Sequence, residues 1–501
     1  MNFEDVTVGI GLLSRAGPNP EITGIEFDSR RVGPGSLFVA MQGETTDGNR
    51  YIEKAAELGA AAVITDSAAA FDDAARRFPQ LAIAEVTHGR NALAVASANF
   101  FGHPDKQLAL TGITGTNGKT TTAFLLDAIL NHARRKTVLV GTIEYHVAGE
   151  VRPSPHTTPE SRDLFALLRE GADAGATETV MEVSSHALAQ GRVYGLAYDV
   201  ALFTNLTRDH LDFHGTMENY FAAKRRLFDG SLSRPPRVAV INAEDAYGAE
   251  LAKVARDVGA EVYSYGGEGD FRAERVRMGP EGMTFTLLST AGAIEINTHL
   301  TGNVNVLNLL AASAAAHARG LSMKQIQAGI ASLGYVPGRF QAVHGGQPFT
   351  VIVDYAHTDD ALRNLTALAR EFVTTTSGKV ITLFGCGGDR DRAKRPLMGR
   401  AAGDGSDFVV LTSDNPRSEQ PEAIIADALP GLHGTRARYA VEPDRAAAIK
   451  LAIHQANAGD IVLLAGKGHE KTQTIGGESI PFDDVEVAAQ CLKELQKGTP
   501  A

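Results

Sequence analysis

Short apolar runs alternate with segments of helical periodicity along most of this chain. The strand-like runs occupy residues 35–41, 60–65, 108–113, 137–141, 178–183, 200–203, 237–241, 349–353, 380–384, 408–411 and 461–464. Strands that alternate with helices in this way form mainly parallel sheets covered on both faces. The pattern therefore predicts an α/β protein.

Two segments rich in turn-forming residues divide this pattern into three parts. They are Phe-Gly-His-Pro-Asp-Lys at residues 101–106 and Tyr-Val-Pro-Gly-Arg at residues 335–339. The length of 501 residues also suggests about three domains of roughly 150 residues each. We expect a small α/β N-terminal domain at 1–103, a central domain with a mainly parallel sheet at 104–336, and a Rossmann-like C-terminal domain at 337–501.

Residues 114–121, Thr-Gly-Thr-Asn-Gly-Lys-Thr-Thr, join an apolar run to a helix-like segment. Glycines in such a turn let backbone N–H groups converge on phosphate oxygens, and the helix N-terminus adds partial positive charge. Lys119 can reach the terminal phosphates and Thr120 can offer its hydroxyl to Mg²⁺. The loop is a shortened phosphate-binding loop, Gly-x-x-Gly-Lys-Thr, because Ile113 stands where the usual motif has glycine. A turn that binds nothing is disfavoured, since Lys and two Thr after Gly118 serve no packing purpose.

Charge and cysteine content narrow the possible partners and setting. The net charge is −11 without a block of Lys and Arg, which disfavours nucleic acid and anionic membrane surfaces as partners. With only Cys386 and Cys491, neither a disulfide framework nor a structural zinc cluster is expected. The N-terminus lacks the pattern of a secretory signal, and no run approaches the ~18 apolar residues of a membrane span. We therefore expect a cytoplasmic protein without a membrane span.

Two polar side chains follow predicted strands of the central domain. Glu182 closes the run 178–183, and His210 lies in the segment that follows 200–203. Parallel strands bring these ends to the edge that carries the phosphate loop, where both side chains and Thr120 could surround Mg²⁺. Taken alone, Glu182 could simply cap a turn and His210 could be bonded locally. Zinc binding by His210 and His214 is disfavoured, because the helical motif with its intervening Glu is absent.

The segment 217–228 is predicted to be a helix with Tyr220, Ala223 and Leu227 on one apolar stripe. Lys224 lies beside that stripe. On spacing alone it cannot be distinguished from a surface lysine whose stem covers apolar neighbours.

Three polar loops follow strands of the predicted C-terminal domain. They contain Arg390, then Asp414, Asn415 and Arg417, and finally Glu470. Arginines suit bidentate recognition of a carboxylate, and Asp414 and Glu470 suit an ammonium, so the rim is typical of a zwitterion site. A rim of solvated salt bridges is the alternative for any single loop. An ATP site facing an amino-acid site suits a ligase that activates a carboxylate for attack by an amine.

Several motifs together resemble those of the Mur ligase family, in order and over nearly the whole chain. They lie at residues 115–120, 182–186, 209–210, 302–308, 337–340 and 354–357. Gly-Cys-Gly-Gly-Asp-Arg-Asp at 385–391 and Asp-Asn-Pro-Arg at 414–417 are similar to members that add meso-diaminopimelate. The resemblance implies three domains that bind UDP, ATP and an amino acid, in that order.

The resemblance also implies roles for individual residues. The ATP-binding residues would be Gly115, Thr116, Asn117, Gly118, Lys119, Thr120, Thr121, Asn303, Asn305, Arg339 and His357. The UDP-muramoyl-dipeptide would contact Phe27, Ser29, Thr45, Thr46, Thr157, Thr158, Ser184, Gln190 and Arg192. Diaminopimelate would contact Arg390, Asp414, Asn415, Pro416, Arg417, Gly466 and Glu470. The catalytic residues would be Lys119, Glu182, His210 and a carbamylated Lys224, and Mg²⁺ would be held by Thr120, Glu182, His210 and Lys224.

The reaction implied by the resemblance is ATP-dependent amide formation in peptidoglycan precursor synthesis. The partners would be UDP-N-acetylmuramoyl-L-alanyl-D-glutamate and meso-diaminopimelate, joined through an acyl phosphate by a monomeric enzyme. Three alternatives stay open: the same reaction with L-lysine, a ligase like folylpolyglutamate synthase, and a nucleotide-binding regulator without ligase activity. Lysine-adding relatives lack the arginine that stands here at position 417.

Overall fold

The computed structural model describes residues 1–43, 46–279, 282–374 and 377–498. Its N-terminal part is a five-stranded sheet in the order β1-β5-β4-β3-β2, parallel except for β1. Its strands are β1 (Leu12–Ala16), β2 (Gly24–Glu26), β3 (Ser36–Ala40), β4 (Ala62–Thr65) and β5 (Ala82–Val86). The helices are α1 (Phe3–Val6), α2 (Ile52–Glu57), α3 (Ala68–Arg77) and α4 (Gly89–Phe100). Apolar side chains on both faces of this sheet are buried, as expected for parallel strands.

The central part is an eight-stranded sheet in the order β13-β12-β11-β6-β10-β7-β8-β9. Its strands are β6 (Ala109–Thr114), β7 (Thr137–Val140), β8 (Glu144–Val147), β9 (Glu150–Pro153), β10 (Glu178–Glu182), β11 (Val200–Phe203), β12 (Val238–Asn242) and β13 (Glu261–Tyr265). The helices are α5 (Lys119–His132), α6 (Ser161–Asp173), α7 (Ser185–Gln190), α8 (Leu211–His214), α9 (Met217–Arg225) and α10 (Gly248–Asp257). Only β8 and β9 run antiparallel to their neighbours. The ends of β10, β6 and β11 therefore share one edge.

A small antiparallel sheet and two helices complete the central part. The strands are β14 (Arg272–Gly279), β15 (Gly282–Ser289) and β16 (Gly292–Thr298), and the helices are α11 (Asn303–Ala318) and α12 (Met323–Ser332). Helix α11 is buried over most of its length and packs against α5. This contact brings the start of α11 to the phosphate loop.

The C-terminal part is a six-stranded sheet in the order β17-β18-β22-β19-β20-β21, parallel except for β17. Its strands are β17 (Gln341–Ala342), β18 (Thr350–Asp354), β19 (Val380–Cys386), β20 (Phe408–Ser413), β21 (Arg438–Val441) and β22 (Ile461–Ala465), followed by the hairpin β23 (Thr472–Ile475) and β24 (Glu478–Pro481). The helices are α13 (Asp359–Thr374), α14 (Lys394–Gly405), α15 (Pro421–Leu432), α16 (Arg445–His454) and α17 (Asp484–Gly498). Arg445 ties this sheet together, since its buried guanidinium donates to Ser413 and Ala465 at two strand ends and pairs with Asp484.

The predicted α/β class with mainly parallel sheets is confirmed, and every strand-like run of the sequence overlaps an observed strand. The antiparallel pieces β8–β9, β14–β16 and β23–β24 were not predicted. The strands β9, β14 and β24 are mostly exposed or half-buried and therefore carry little apolar signal. None of the helices in the described ranges has the length and apolar character that a membrane span requires.

His146 on β8 gives the central domain a pH-dependent contact. Its Nδ1 lies 3.2 Å from an Asp127 oxygen and its Nε2 lies 2.9 Å from a Glu144 oxygen. Partial burial by itself lowers the pKa of His146, but the hydrogen bonds to these two carboxylates outweigh it and raise that pKa. The resulting stabilisation is complete below the unfolded-state value of about 6.5 and disappears as the pH rises through the folded-state pKa.

We therefore expect His146→Gln to destabilise the protein at acidic pH by about 1 kcal/mol and to have little effect in the alkaline range. The measurement is the midpoint of thermal unfolding of both proteins across this pH range. His132→Gln, at the exposed end of α5, is the matched control. A loss of thermal stability in His146→Gln that does not change with pH would contradict the stabilising role of the charged imidazole.

Candidate active site

The loop between β6 and α5 is built so that only glycine fits at two of its positions. Gly115 has a φ of +150°, and a Cβ there would lie 1.8 Å from Thr204 Oγ1. Gly118 has a φ of +87°, and a Cβ there would lie 2.4 Å from Asn308 Oδ1. The loop is held from below, because Asn117 donates its backbone N–H to Asn205 Oδ1 at 2.9 Å. The backbone is thus shaped as phosphate binding requires.

Lys119 and Thr120 begin helix α5. Lys119 Nζ donates to the carbonyls of Gly115 at 3.0 Å and Thr116 at 2.9 Å, so its ammonium is folded over the loop. Burial lowers the pKa of Lys119, whereas the nearby carboxylate of Glu182 opposes this shift. Thr120 Oγ1 donates to Glu182 Oε2 at 3.1 Å. The Lys119 ammonium, the Thr120 hydroxyl and the Glu182 carboxylate are therefore adjacent at one end of the loop.

Glu182 is the centre of a hydrogen-bond network that reaches the next loop. The backbone N–H and hydroxyl of Thr142 donate to its two carboxylate oxygens at 2.8 and 2.9 Å. The Thr142 hydroxyl also lies 3.0 Å from that of Thr157. Thr158 Oγ1 donates to the Glu182 carbonyl at 2.9 Å and accepts the N–H of Ser184. Glu182 is 1% exposed, and besides the Thr142 N–H it contacts the hydroxyls of Thr142 and Thr120, so its contacts extend beyond the capping of a turn.

Lys224 on α9 is buried beneath the same loop rather than exposed at the surface. Its side chain is 1% exposed, and Nζ donates to the Gly115 carbonyl at 2.7 Å. No acidic group among the described residues pairs with Lys224, and its ammonium lies 4.5 Å from the Tyr220 ring centre. Burial, with Lys119 nearby, holds the pKa of Lys224 well below its usual range. The surface-lysine alternative is therefore wrong, because the tertiary fold places α9 against the phosphate loop.

His210 belongs to a cluster of rings beside Lys119 and Lys224. Its ring centre lies 4.8 Å from that of His186 and 6.2 Å from that of Tyr220. Burial lowers the pKa of His210 to about 4, against the opposing charge of Asp209. The imidazole is thus neutral at physiological pH and able to act as a ligand. His214 instead contacts Ser185 Oγ at 2.9 Å, and the described residues contain no group of three His, Cys, Asp or Glu placed to hold a metal.

A cavity of about 250 Å³ lies between the central and C-terminal sheets. Its central-domain wall includes His186, Arg208, Asp209, His210, Leu211 and Asp212. Its C-terminal wall includes Tyr355, His357, Thr358, Asp359, Gly385, Gly387, Arg390, Asp391, Lys394, Leu397, Asp414, Asn415, Arg417, Gly466 and Glu470. The sequence-predicted amino-acid residues therefore face His210 across one space, apart from Pro416, which does not line it. The wall residues His186, Arg208, Asp209, Tyr355 and Lys394 were not predicted.

The loops after β19 and β20 are tied to each other. Arg417, at a φ of 54°, donates from Nη1 to the Gly388 carbonyl at 2.6 Å. Ser418 donates its hydroxyl to Asp389 Oδ1 at 2.6 Å, and Asp389 donates its N–H to Glu419 Oε1 at 2.6 Å. These bonds fix the Arg417 guanidinium against the cavity while most of its donors remain available to a ligand.

Arg395 on α14 holds the same two loops from the side away from the cavity. Its side chain is 0% exposed and donates to both oxygens of Glu419, at 2.6 and 3.0 Å, and to Asp427 at 2.8 Å. A further N–H reaches the Gly387 carbonyl at 3.3 Å. This role could not be predicted from the sequence, because the two carboxylate partners lie more than twenty residues away along the chain.

We expect Arg395→Met to lower the stability of the C-terminal domain by about 2–3 kcal/mol, because Glu419 loses its cation and Asp427 keeps only Arg392. The looser loops should also weaken the binding of a ligand in the 250 Å³ cavity. Thermal unfolding and ligand titration measure the two effects. Arg400→Met, on the same helix with an exposed partner in Asp404, should change stability by under about 1 kcal/mol. Equal losses of stability in the two variants would contradict this role of Arg395.

A second cavity, of about 670 Å³, lies where the N-terminal and central parts meet. It is lined by Met41, Gln42, Gly43, Asp66, Thr87, His88, Gly89, Arg90, Asn91, Ala189, Gln190, Gly191, Phe213 and Arg226. Of the eight residues predicted for the UDP-muramoyl-dipeptide that the structure describes, Gln190 alone lines it. Arg192 lies nearby and pairs with Glu160 at 3.2 Å, which also faces Arg90 at 3.4 Å.

The remaining predicted nucleotide-peptide residues occupy different places. Phe27 packs on the N-terminal core, Ser29 begins a short 3-10 helix, and Thr46 is exposed. Thr157, Thr158 and Ser184 belong to the network around Glu182. Thr45 lies outside the described residues.

Not all of the residues predicted to bind ATP contact the phosphate loop. Arg339 reaches it across the domain junction, with Nη2 donating to Thr120 Oγ1 at 3.3 Å. Asn305 is buried at the start of α11 and connects through Asn308 to the Gly118 turn. Asn303, two residues earlier, is exposed. Burial lowers the pKa of His357, which lines the 250 Å³ cavity.

Comparison with known proteins agrees with this geometry. Three family profiles match: the Mur ligase family catalytic domain at residues 21–101, the Mur ligase middle domain at 113–316, and the Mur ligase glutamate ligase domain at 338–468. The chain is 52% identical to a UDP-N-acetylmuramoyl-L-alanyl-D-glutamate–2,6-diaminopimelate ligase of Solibacter usitatus, with 98% of each chain covered. It is 44% identical to the ligase of that name from Geobacillus thermodenitrificans, with 97% of each covered.

A solved structure of a ligase of the same name matches with a TM-score of 0.66 and 35% identity. The match covers 95% of this chain and 96% of the other. The similarity thus covers nearly the whole chain, and the chain belongs to the Mur ligase family.

Proposed function

We propose that this protein is an ATP-dependent amide ligase of peptidoglycan precursor synthesis. It joins meso-diaminopimelate to the D-glutamate of UDP-N-acetylmuramoyl-L-alanyl-D-glutamate, with release of ADP and phosphate. The observation that carries the proposal is the 250 Å³ cavity, where His210 beside the phosphate loop faces Arg390, Arg417 and Glu470. The names of the full-length relatives support the same substrates.

ATP is held at the loop 115–121, with its terminal phosphates between Lys119 and the N-terminus of α5. The D-glutamate side-chain carboxylate attacks the γ-phosphorus, ADP leaves, and an acyl phosphate forms. Lys119 stabilises the charge on the transferring phosphoryl group, and Arg339 supplies a second cation next to Thr120. These residues act by position and charge alone.

The residues beside the loop fit Mg²⁺. Thr120, Glu182 and His210 offer a hydroxyl, a carboxylate and a neutral imidazole, and Mg²⁺ takes few protein ligands when it also binds phosphates. Lys224 completes the set as a carbamate, because its lowered pKa leaves a neutral amine that adds to CO₂ with loss of one proton. The anion formed would relieve the repulsion between two buried lysines. Bound Mg²⁺ would neutralise phosphate charge.

The acyl phosphate reacts with the amine of diaminopimelate in the cavity between the domains. The amine nitrogen attacks the acyl carbon, phosphate leaves, and the nitrogen loses its proton. Contacts across the domain junction, such as Asn117 to Asp360 at 3.5 Å, favour exclusion of water from the intermediate. Arg390 and Arg417 face the distal carboxylate, and Asp414 and Glu470 face the distal ammonium.

The division of labour among the domains is part of the proposal. Residues 1–103 bind the UDP-sugar, 104–336 bind ATP, and 337–501 bind the amino acid. The N-terminal junction cavity beside Gln190 and Arg192 receives the nucleotide-peptide. We place the enzyme in the cytoplasm as a monomer, which light scattering during gel filtration tests.

The deciding experiment is phosphate release from ATP with UDP-muramoyl-dipeptide and either meso-diaminopimelate or L-lysine. We expect release with diaminopimelate and little with lysine. A preference for lysine would favour the lysine-adding reaction, and activity with a folate and glutamate would favour a folylpolyglutamate synthase. ATP binding without release on any of these substrates would indicate a regulator.

A further inference from the structure

Lys467 is a fully buried lysine behind the wall of the amino-acid cavity. It follows β22, is 0% exposed, and does not line the cavity. Its Nζ lies 3.0 Å from Glu470 Oε2, 3.2 Å from Asn415 Oδ1 and 3.7 Å from Asp414 Oδ1. All three neighbours do line the cavity. An ammonium in this place affects the orientation and the net charge of the groups that those neighbours offer to a ligand.

The Asn415 amide has only one orientation that satisfies its neighbours. Lys467 Nζ and the backbone N–H of Thr474, at 3.0 Å, both point donors at one side of it, so its oxygen must lie there. The amide nitrogen is then directed to Glu470 Oε2 at 2.8 Å. Lys467 thereby fixes both the Asn415 amide and the Glu470 carboxylate.

Lys467 and the two carboxylates that it contacts carry a net charge of −1 together. Asp414 and Glu470 contribute two carboxylates and Lys467 contributes one ammonium. The other buried cation nearby, Arg445, is already paired with Asp484 through contacts of 2.8 and 2.6 Å. Lys467 is therefore the buried cation in direct contact with both carboxylates, at 3.7 Å from Asp414 and 3.0 Å from Glu470. A ligand end that carries an ammonium and a carboxylate meets attraction without excess repulsion.

We propose that Lys467 is a positioning residue that sets the preference for a zwitterionic distal end over a purely cationic one. This inference rests on the proposed function. Without Lys467, Asp414 and Glu470 would lose the cation that contacts both of them, and the added negative charge would disfavour the distal carboxylate of diaminopimelate and favour the side-chain ammonium of lysine. The ratio of kcat/KM for diaminopimelate to that for lysine should then fall, whereas a merely structural residue would lower both values alike.

The test measures this ratio for wild type, Lys467→Met and Lys467→Gln at saturating ATP and nucleotide-peptide. We expect the ratio to fall about tenfold or more in both variants, as Coulomb interactions over a few ångströms imply. The KM values for ATP and nucleotide-peptide should stay within about twofold, because their sites are separate. Lys471→Gln is the matched control, since Lys471 is largely exposed and pairs with Asp483.

Asp414→Asn provides a second, independent readout. In wild type it should lower kcat/KM for diaminopimelate, because it removes an ammonium partner. In Lys467→Met it should raise this value, because it restores the single negative charge. The proposal is overturned if the ratio is unchanged, if Asp414→Asn acts in the same direction in both backgrounds, or if neither variant at 467 folds. An inactive wild type would instead refute the proposed function.

Discussion

Lys224→Ala is expected to lower kcat by roughly 100- to 1000-fold while the protein remains folded. Lys224 is buried, donates to Gly115 at 2.7 Å, and has no acidic partner among the described residues. A carbamate on its nitrogen would supply the anion that this cationic corner lacks. Without the side chain that anion is absent, and the transition state of phosphoryl transfer is stabilised less. Steady-state phosphate release measures the loss.

Lys224→Arg separates a carbamate from a simple cation. Arginine keeps the positive charge but its guanidinium cannot take up CO₂, so we expect this variant to be about as inactive as Lys224→Ala. Formate or acetate should partly restore activity to the alanine variant. Arg225→Ala, at the exposed neighbouring position, is the control and should be nearly unchanged. Substantial activity of Lys224→Arg, or no carbamate signal from wild type in isotopically labelled bicarbonate, would contradict the assignment.

The fold and the phosphate loop were predictable because their signals are local. Buried parallel strands show as apolar runs, and the loop 115–121 needs glycine at Gly115 and Gly118 to avoid Thr204 and Asn308. Lys224 shows the limit of such signals. Its neighbours on α9 resemble those of any amphipathic helix, and only the packing of α9 beneath Gly115 buries it. Resemblance to a family supplied what periodicity could not.

The amino-acid site was only partly predictable, for a related reason. Arg390, Arg417 and Glu470 follow strands directly, and a parallel sheet necessarily gathers such residues at one edge. Arg395 and Lys467 support that edge from behind through contacts that span from three to more than fifty residues. Their burial and partners depend on how the loops fold back, so the sequence offers no pattern for them.

Arg417→Ala is expected to lower kcat/KM for meso-diaminopimelate by roughly 30- to 700-fold, or about 2–4 kcal/mol. Arg417 lines the cavity with one donor committed to Gly388 and the others available for a carboxylate. The distal carboxylate would lose its bidentate partner, whereas lysine has no carboxylate there to lose. ATP binding should be unchanged, because Arg417 is not among the residues proposed to bind ATP and its guanidinium bonds to Gly388, away from the phosphate loop.

The role of Arg417 is tested most sharply by the ratio of kcat/KM for diaminopimelate to that for lysine. Wild type and variant are compared with diaminopimelate and lysine, and isothermal titration gives the affinity for ATP. Arg392→Ala is the matched control, since Arg392 belongs to the neighbouring loop, is 66% exposed and pairs with Asp427. If Arg417 reads the distal carboxylate, only its own variant moves the ratio, and it does so through diaminopimelate. An unchanged kcat/KM for diaminopimelate would refute that role, and an equal loss for both amino acids would mean that Arg417 merely supports the loop.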